Sequence, residues 1–138
     1  MPATPESRFS QRVRTSLPDC FIERLENRVN LGVPDMLIGI GDRFVLVELK
    51  VVTRGLKVAL RPHQVAFLVR HSTAGRPCFV LVKWEGTTTR PDTIRLYRGE
   101  DAIALSGTGL RHPALFEWTS RAMDWPHLRY LLSGGDLQ

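Results

Sequence analysis

At 138 residues, 43% of them apolar and 24% charged, the chain is long enough to bury a core of its own and too apolar to be disordered as a whole. No apolar run approaches the ~20 residues of a membrane span, and two cysteines, Cys20 and Cys78, cannot build a disulfide framework, which points to a reducing compartment. The net charge of +5 is unevenly spread: residues 1–76 hold 12 Lys/Arg and 7 Asp/Glu, residues 77–138 hold 7 of each. A basic first half suits a polyanion partner, nucleic acid first, although a solvated surface would read the same way.

The opening residues, rich in Arg and Ser with the one acid Glu6, share features with an organelle transit peptide but read better as a helix. Thr4 can cap it, Pro5 fits its first turn, and Phe9, Val13 and Leu17 recur every four residues. Residues 20–30 partly alternate and predict an amphipathic strand. After the break at Leu31-Gly32-Val33-Pro34 come two apolar runs, 35–40 and 43–51, joined by Gly41-Asp42, a two-residue hairpin signal with Gly first as a type II′ turn prefers. Residues 52–60 predict an exposed loop. A helix follows from Pro62, with Val65, Leu68 and Val69 as its apolar stripe and Gly75 as its stop. Residues 78–84 predict a buried strand, 93–98 an alternating strand and 100–105 a short helix; Ser106-Gly107-Thr108-Gly109 predicts a loop rather than a phosphate cradle. The apolar tail, with Phe116, Trp118, Met123, Trp125 and Leu128 to Leu132, predicts helix in parts interrupted by Pro126. The order α-β-β-β-α-β plus extras describes an α/β chain: a mixed sheet flanked by helices, a single domain over 1–138 with a C-terminal extension at 93–132.

The hairpin turn fixes a register. With Gly41 and Asp42 at the turn, Ile40 faces Arg43 and Asp35 faces Glu48. Directly opposed residues point to one face with Cβ atoms about 4.5–5.5 Å apart, and like charges placed so are destabilising. Lys50 shares that face by the two-residue strand period. An acid pair with an ammonium, in strands whose Val45, Val47, Leu49 and Val51 read as core, needs an explanation. A divalent cation supplies one: all-oxygen ligands suit Mg²⁺ or Mn²⁺, which can serve phosphodiester hydrolysis, with Lys50 orienting water or stabilising phosphate charge.

Gly-Val-Pro-Asp (32–35), Glu-Leu-Lys (48–50) and Arg-Pro-His-Gln (61–64), with twelve residues between Asp35 and Glu48, resemble the PD-(D/E)XK nuclease superfamily. Gln64 and the small size resemble the stand-alone VRR nuclease domains and phage-type Holliday junction resolvases. The resemblance covers about residues 5–84. It implies a restriction-endonuclease-like core and a metal-dependent DNA endonuclease. Asp35, Glu48 and the Leu49 carbonyl would be metal ligands and Lys50 the catalytic lysine. Glu6 would complete the metal site, with Glu23 and Glu26 as competitors, and Gln64 would hold the site or contact the cut strand.

Each residue has a plainer reading. Asp35 after proline suits a turn, Glu48 and Lys50 a strand edge, Gln64 a helix cap, and Glu6 the positive end of a helix dipole. Other chemistries find no support: His63, His71, His112 and His127 form no zinc motif, and neither a GxSxG elbow nor a phosphate loop occurs, so no nucleotide cofactor is implied. A chain this small leaves little for reading base sequence. The expected substrate is therefore branched DNA, held at its phosphates by Arg8, Arg12, Arg14, Arg24, Arg28, Arg54, Lys57 and Arg61. Two symmetric cuts need a homodimer, with the aromatic tail as one candidate interface or simply core covering. The expected location is the cytoplasm of a bacterial or phage-infected cell, away from membranes. The alternatives are a nuclease for flaps, ends or nicks and, in another class, a DNA-binding module of the same fold without activity. Retention of Asp35, Glu48 and Lys50 argues against the last.

Overall fold

Thr4 opens the first helix of the computed structural model, which describes residues 3–25 and 32–135. Its hydroxyl oxygen accepts the Ser7 N–H at 3.0 Å, and Pro5 sits in the first turn, where a missing N–H costs nothing. The helix, α1 (Pro5–Ser16), buries Phe9 and Val13, and Leu17 beyond its end is buried too, as the four-residue spacing predicts.

Three antiparallel strands follow: β1 (Phe21–Arg24), β2 (Met36–Ile40) and β3 (Arg43–Val52). The strand expected over 20–30 is thus four residues long on the described part, and the readings of Glu26 and Arg28 lie outside the described residues. The turn behaves as the sequence requires. Gly41 has φ 59°, a left-handed value that glycine adopts without strain. Ile40 then pairs with Arg43, Gly39 with Phe44, and so on to Met36 with Val47. Two buried cores cover the two faces of the sheet, so β3 is a central strand with no solvated face over most of its length.

The stretch after β3 departs from the expected exposed loop. Thr53 to Gly55 and Lys57 are exposed, but Val58 and Leu60 are buried and carry the chain back under the next helix. That helix, α2 (Pro62–Thr73), starts on Pro62 and crosses over to β4 (Cys78–Trp84), which lies parallel to β3; Leu46 pairs with Cys78 and Val52 with Trp84. β5 (Thr93–Arg98) returns antiparallel. A turn of 3₁₀ helix leads into α3 (Ala102–Thr108), so Ser106 to Thr108 finish a helix instead of forming the predicted loop.

The tail differs most. Phe116 to Thr119 form β6, an edge strand antiparallel to β5, where the reading expected helix. Pro126 does not interrupt a helix. It lies in the first turn of α4 (Trp125–Leu132), and the Asp124 side chain caps that turn by accepting the His127 N–H at 2.9 Å. The sheet order is β1-β2-β3-β4-β5-β6, mixed because β3 and β4 alone run parallel. α1 and α4 bury Phe9, Val13, Leu128 and Leu131 on the face that carries Val45, Val47 and Leu49. α2 and α3 bury Leu68 and Leu105 on the face that carries Val52, Val80 and Tyr97. Among the described residues no helix is long and apolar enough to cross a membrane.

Candidate active site

Glu48 lies in the middle of β3 on the face covered by α2, and only 2% of its surface is exposed. A carboxylate so placed has lost its water, and burial raises its pKa from 4.5 to about 8. The neighbouring Asp35 carboxylate pushes in the same direction. The ammonium of Lys50, 3.4 Å from Glu48 Oε2, pulls the other way without overcoming burial.

Asp35 stands one residue before β2, in a bend. The ladder's last pair is Met36 with Val47, so Asp35 continues the register that faces Glu48 without joining the ladder. Its side chain turns across to β3, where Oδ2 accepts the Leu49 N–H at 3.0 Å. Its backbone carbonyl accepts the Leu25 N–H at 2.7 Å, which ties the end of β1 to the same point. Upstream of the bend, Gly32 has φ 78° and packs so closely on the first turn of α2 that a Cβ there would fall 2.1 Å from the His63 carbonyl oxygen.

Gln64 meets both of its sequence readings, one per atom. Its Oε1 accepts the Arg61 N–H at 2.9 Å, a helix cap, while its Nε2 donates to Glu48 Oε2 at 3.0 Å. Only this amide orientation serves both partners, since an N–H needs an acceptor and a carboxylate needs a donor. The start of α2 is thereby locked to the acid in β3.

Glu6, in the first turn of α1, lines a small cavity with Ser10, Arg24, Asp35 and Leu49. Its volume is about 20 Å³, room for one occupant the size of a water molecule. Glu23 is exposed on β1 and does not line it. Glu6 shares this cavity with Asp35 but does not close a cluster: among the described residues no three His, Cys, Asp or Glu side chains come together as a ready ligand set. A divalent cation nevertheless fits the chemistry present. The donors are all oxygens, two carboxylates are adjacent, and one of them is buried at a cost that positive charge would relieve; the water-sized cavity lies on the Asp35 and Leu49 side and is not lined by Glu48.

The basic residues expected to hold DNA separate into groups. Arg24 faces the small cavity. Arg14, Arg54, Lys57 and Arg61 are exposed. Arg8 is exposed and bonded to the Ala3 carbonyl at 2.7 Å. Arg12 is committed elsewhere: both terminal nitrogens bind Ser120 at 2.6 Å and its guanidinium lies 5.5 Å from the Trp125 ring centroid, fastening α1 to the C-terminal segment. The sequence reading missed Trp84 and Arg90. The Arg90 guanidinium lies 3.4 Å from the centroid of the Trp84 ring, at the last pair of the strands that carry Lys50. A Trp followed six residues later by Arg across a Gly-Pro loop gives no signal of that stacking.

A mixed six-stranded α/β sheet with an acid pair and a lysine at its β2–β3 hairpin defines the class of fold. No family model matches the chain, and no curated protein matches it. Among solved structures it is similar to Hjc of Archaeoglobus fulgidus, a Holliday junction resolvase from an archaeal hyperthermophile, with a TM-score of 0.51 and 18% identity over 68% of this chain and 77% of that one. At that identity the likeness is one of fold.

Proposed function

We propose that this protein is a metal-dependent DNA endonuclease of the PD-(D/E)XK superfamily, acting on branched DNA such as a Holliday junction. The observation that carries the reading is the buried Glu48, with Lys50 of its own strand, Asp35 from the bend before β2 and Gln64 from α2 all gathered on it. A structural role alone does not account for a buried carboxylate set beside a second carboxylate, even with Lys50 and Gln64 on it, because an apolar residue there would cost less. The fold shared with a Holliday junction resolvase supports the substrate class.

Asp35, Glu48 and the Leu49 carbonyl would hold Mg²⁺ or Mn²⁺, with Glu6 reaching the small cavity beside Asp35 and Leu49. The ion would supply Lewis-acid activation of water and neutralise charge on the phosphate. The chain's own residues do the rest. Gln64 keeps a hydrogen bond on Glu48 Oε2, which favours its charged form. The Leu49 amide holds Asp35 in one orientation. Lys50, whose side chain keeps 13% exposure, brings an ammonium to the surface of the site, where phosphate charge grows as the bond breaks.

Cleavage assays with Mg²⁺ on a four-way junction, a flap, a linear duplex and a single strand test the reading. Asp35→Ala and Glu48→Ala should abolish cutting and leave DNA binding, since phosphate contacts come from the arginines. Undiminished cutting in EDTA would remove the metal from the account.

A further inference from the structure

Beyond Lys50 the two parallel strands end side by side, Val52 against Trp84, and a pocket of about 410 Å³ opens there. It starts at Thr53, three residues past Lys50, or about 10 Å along an extended chain. Its walls include Arg54, Trp84, Glu85 and Arg90. The size falls within the ~300–1,000 Å³ of ordinary small-molecule sites.

The pocket's aromatic wall is built, not incidental. The Trp84 indole N–H donates to the Gly55 carbonyl at 3.2 Å. The 86–92 loop is closed by the Gly86 N–H on Asp92 Oδ1 at 2.6 Å and the Thr87 N–H on the Arg90 carbonyl at 2.8 Å. Arg90 Nη2 binds the Glu85 carbonyl at 2.6 Å, which holds the guanidinium carbon over the indole, 3.4 Å from its centroid. A second guanidinium, Arg95, lies 5.0 Å from the same ring and is itself tied to Glu117 and the Leu110 carbonyl. The positive lining continues. Leu56 also borders a neighbouring pocket of about 270 Å³ that contains Lys57 and Arg111.

Resting on the nuclease reading above, we propose that this pocket seats an unpaired nucleotide next to the cut phosphate, its base stacked on the Arg90–Trp84 layer and the adjoining backbone running along Arg54, Lys57 and Arg111. Charge alone would hold any DNA backbone. A preformed guanidinium–indole layer adds something only to a base whose face is free, because bases stack on aromatic rings and on arginine planes when they are out of the helix. Intact duplex offers no such face, whereas the centre of a branch and the start of a flap do. The pocket therefore selects branched over linear DNA without reading sequence.

The test uses the full chain with a four-way junction, a flapped duplex and a matched linear duplex, each carrying 2-aminopurine beside the branch or its equivalent. Binding is measured first in EDTA. Wild type should change the probe's fluorescence on the junction or the flap and not on the duplex; the branched substrate that responds identifies the source of the nucleotide. Arg90→Ala should weaken binding of that substrate by roughly 5- to 100-fold, the range for losing one stacked base, with little change on duplex. Arg90→Lys, which keeps the charge and loses the plane, should behave like Arg90→Ala. Trp84→Leu tests the same layer, and circular dichroism confirms folding of each variant. Wild-type behaviour of Arg90→Lys, or equal losses on all three DNAs in folded variants, would overturn the proposal. If Mg²⁺ brings no cutting while the fluorescence change persists, the nucleotide subsite stands and the nuclease reading falls.

Discussion

Lys50 and Glu48 can be told apart from an ordinary ion pair by what happens when one is removed. In an ion pair that holds the fold, loss of the ammonium strands a buried charge and destabilises strongly. Here burial raises the Glu48 pKa to about 8 even with Lys50 alongside, so near neutrality and without metal Glu48 is mostly protonated and removing Lys50 strands no buried charge. Lys50→Ala should therefore leave the melting temperature unchanged or raised, while the single-turnover cleavage rate falls by roughly 10²-fold or more, on the scale of one lost stabilising donor. Normal cleavage with a large fall in melting temperature would make Lys50 a salt-bridge residue only. Glu48 itself predicts a pH dependence. Its folded pKa lies above the 4.5 of the exposed group, so the native state binds the proton more tightly. That contribution to stability is full below about pH 4.5 and is lost as pH rises through about 8. In EDTA, the denaturation midpoint of wild type should fall across this window relative to Glu48→Gln, with a slope of up to about 1.4 kcal/mol per pH unit. Parallel curves for the two proteins would show that Glu48 is charged in the native state throughout.

The proposed active site lies where β2, β3 and α2 meet, and Gly32 packs the segment before β2 against the start of α2. Any side chain at 32 would suffer twice: φ 78° is a left-handed backbone, and a Cβ would overlap the His63 carbonyl. Gly32→Ala should cost of order 1–3 kcal/mol from the backbone alone and lower cleavage as well, by moving the α2 start that holds Gln64 against Glu48. Gly41→Asn is the control. It also needs a positive φ, but nothing lies within 4 Å of its Cβ and asparagine tolerates that backbone, so cutting should persist. A melting-temperature comparison with cleavage rates on both variants checks this. The contrast explains what could be read from the sequence. The hairpin register, and with it the approach of Asp35 to Glu48, depends on two turn residues and a strand period, both local. The start of α2 depends on Pro62, also local. The double use of Gln64 was visible only as two competing readings, because choosing between them required knowing that α2 begins over β3. Arg12 read as a free cation since its partner, Ser120, lies 108 residues away. Pro126 within an apolar run fits an interruption and a helix start equally; what decides is the Asp124 cap and the pairing of the preceding β6 with β5.

At the scale of the molecule, the proposed substrate makes a demand that one chain does not meet. A four-way junction is resolved by two symmetric cuts, and each chain carries one Asp35–Glu48–Lys50 site, so a two-fold dimer is expected. The aromatic tail is a poor candidate for the interface as a whole: Trp118, Leu128, Leu131 and Leu132 are buried in the chain's own core, with Phe116 and Tyr130 exposed beside them. A better patch lies at the opposite edge of the sheet. Phe21 and Phe44 are 57% and 63% exposed and flank Gly39, each in contact distance of where its Cβ would be. Asp19, Asp42 and Arg43 border the same hollow, so the surface carries both signs of charge, as a patch that must meet its own copy requires. Sedimentation at micromolar concentration should show a dimer for wild type. Phe44→Arg, an exposed substitution that leaves the core intact, should shift the chain toward monomer. The monomer should still nick DNA but lose paired cutting of a junction, read as single-strand nicks replacing linear duplex products. A wild-type chain that stays monomeric at these concentrations, with and without junction DNA, would move the substrate from a four-way junction to a flap or nick, where one cut suffices.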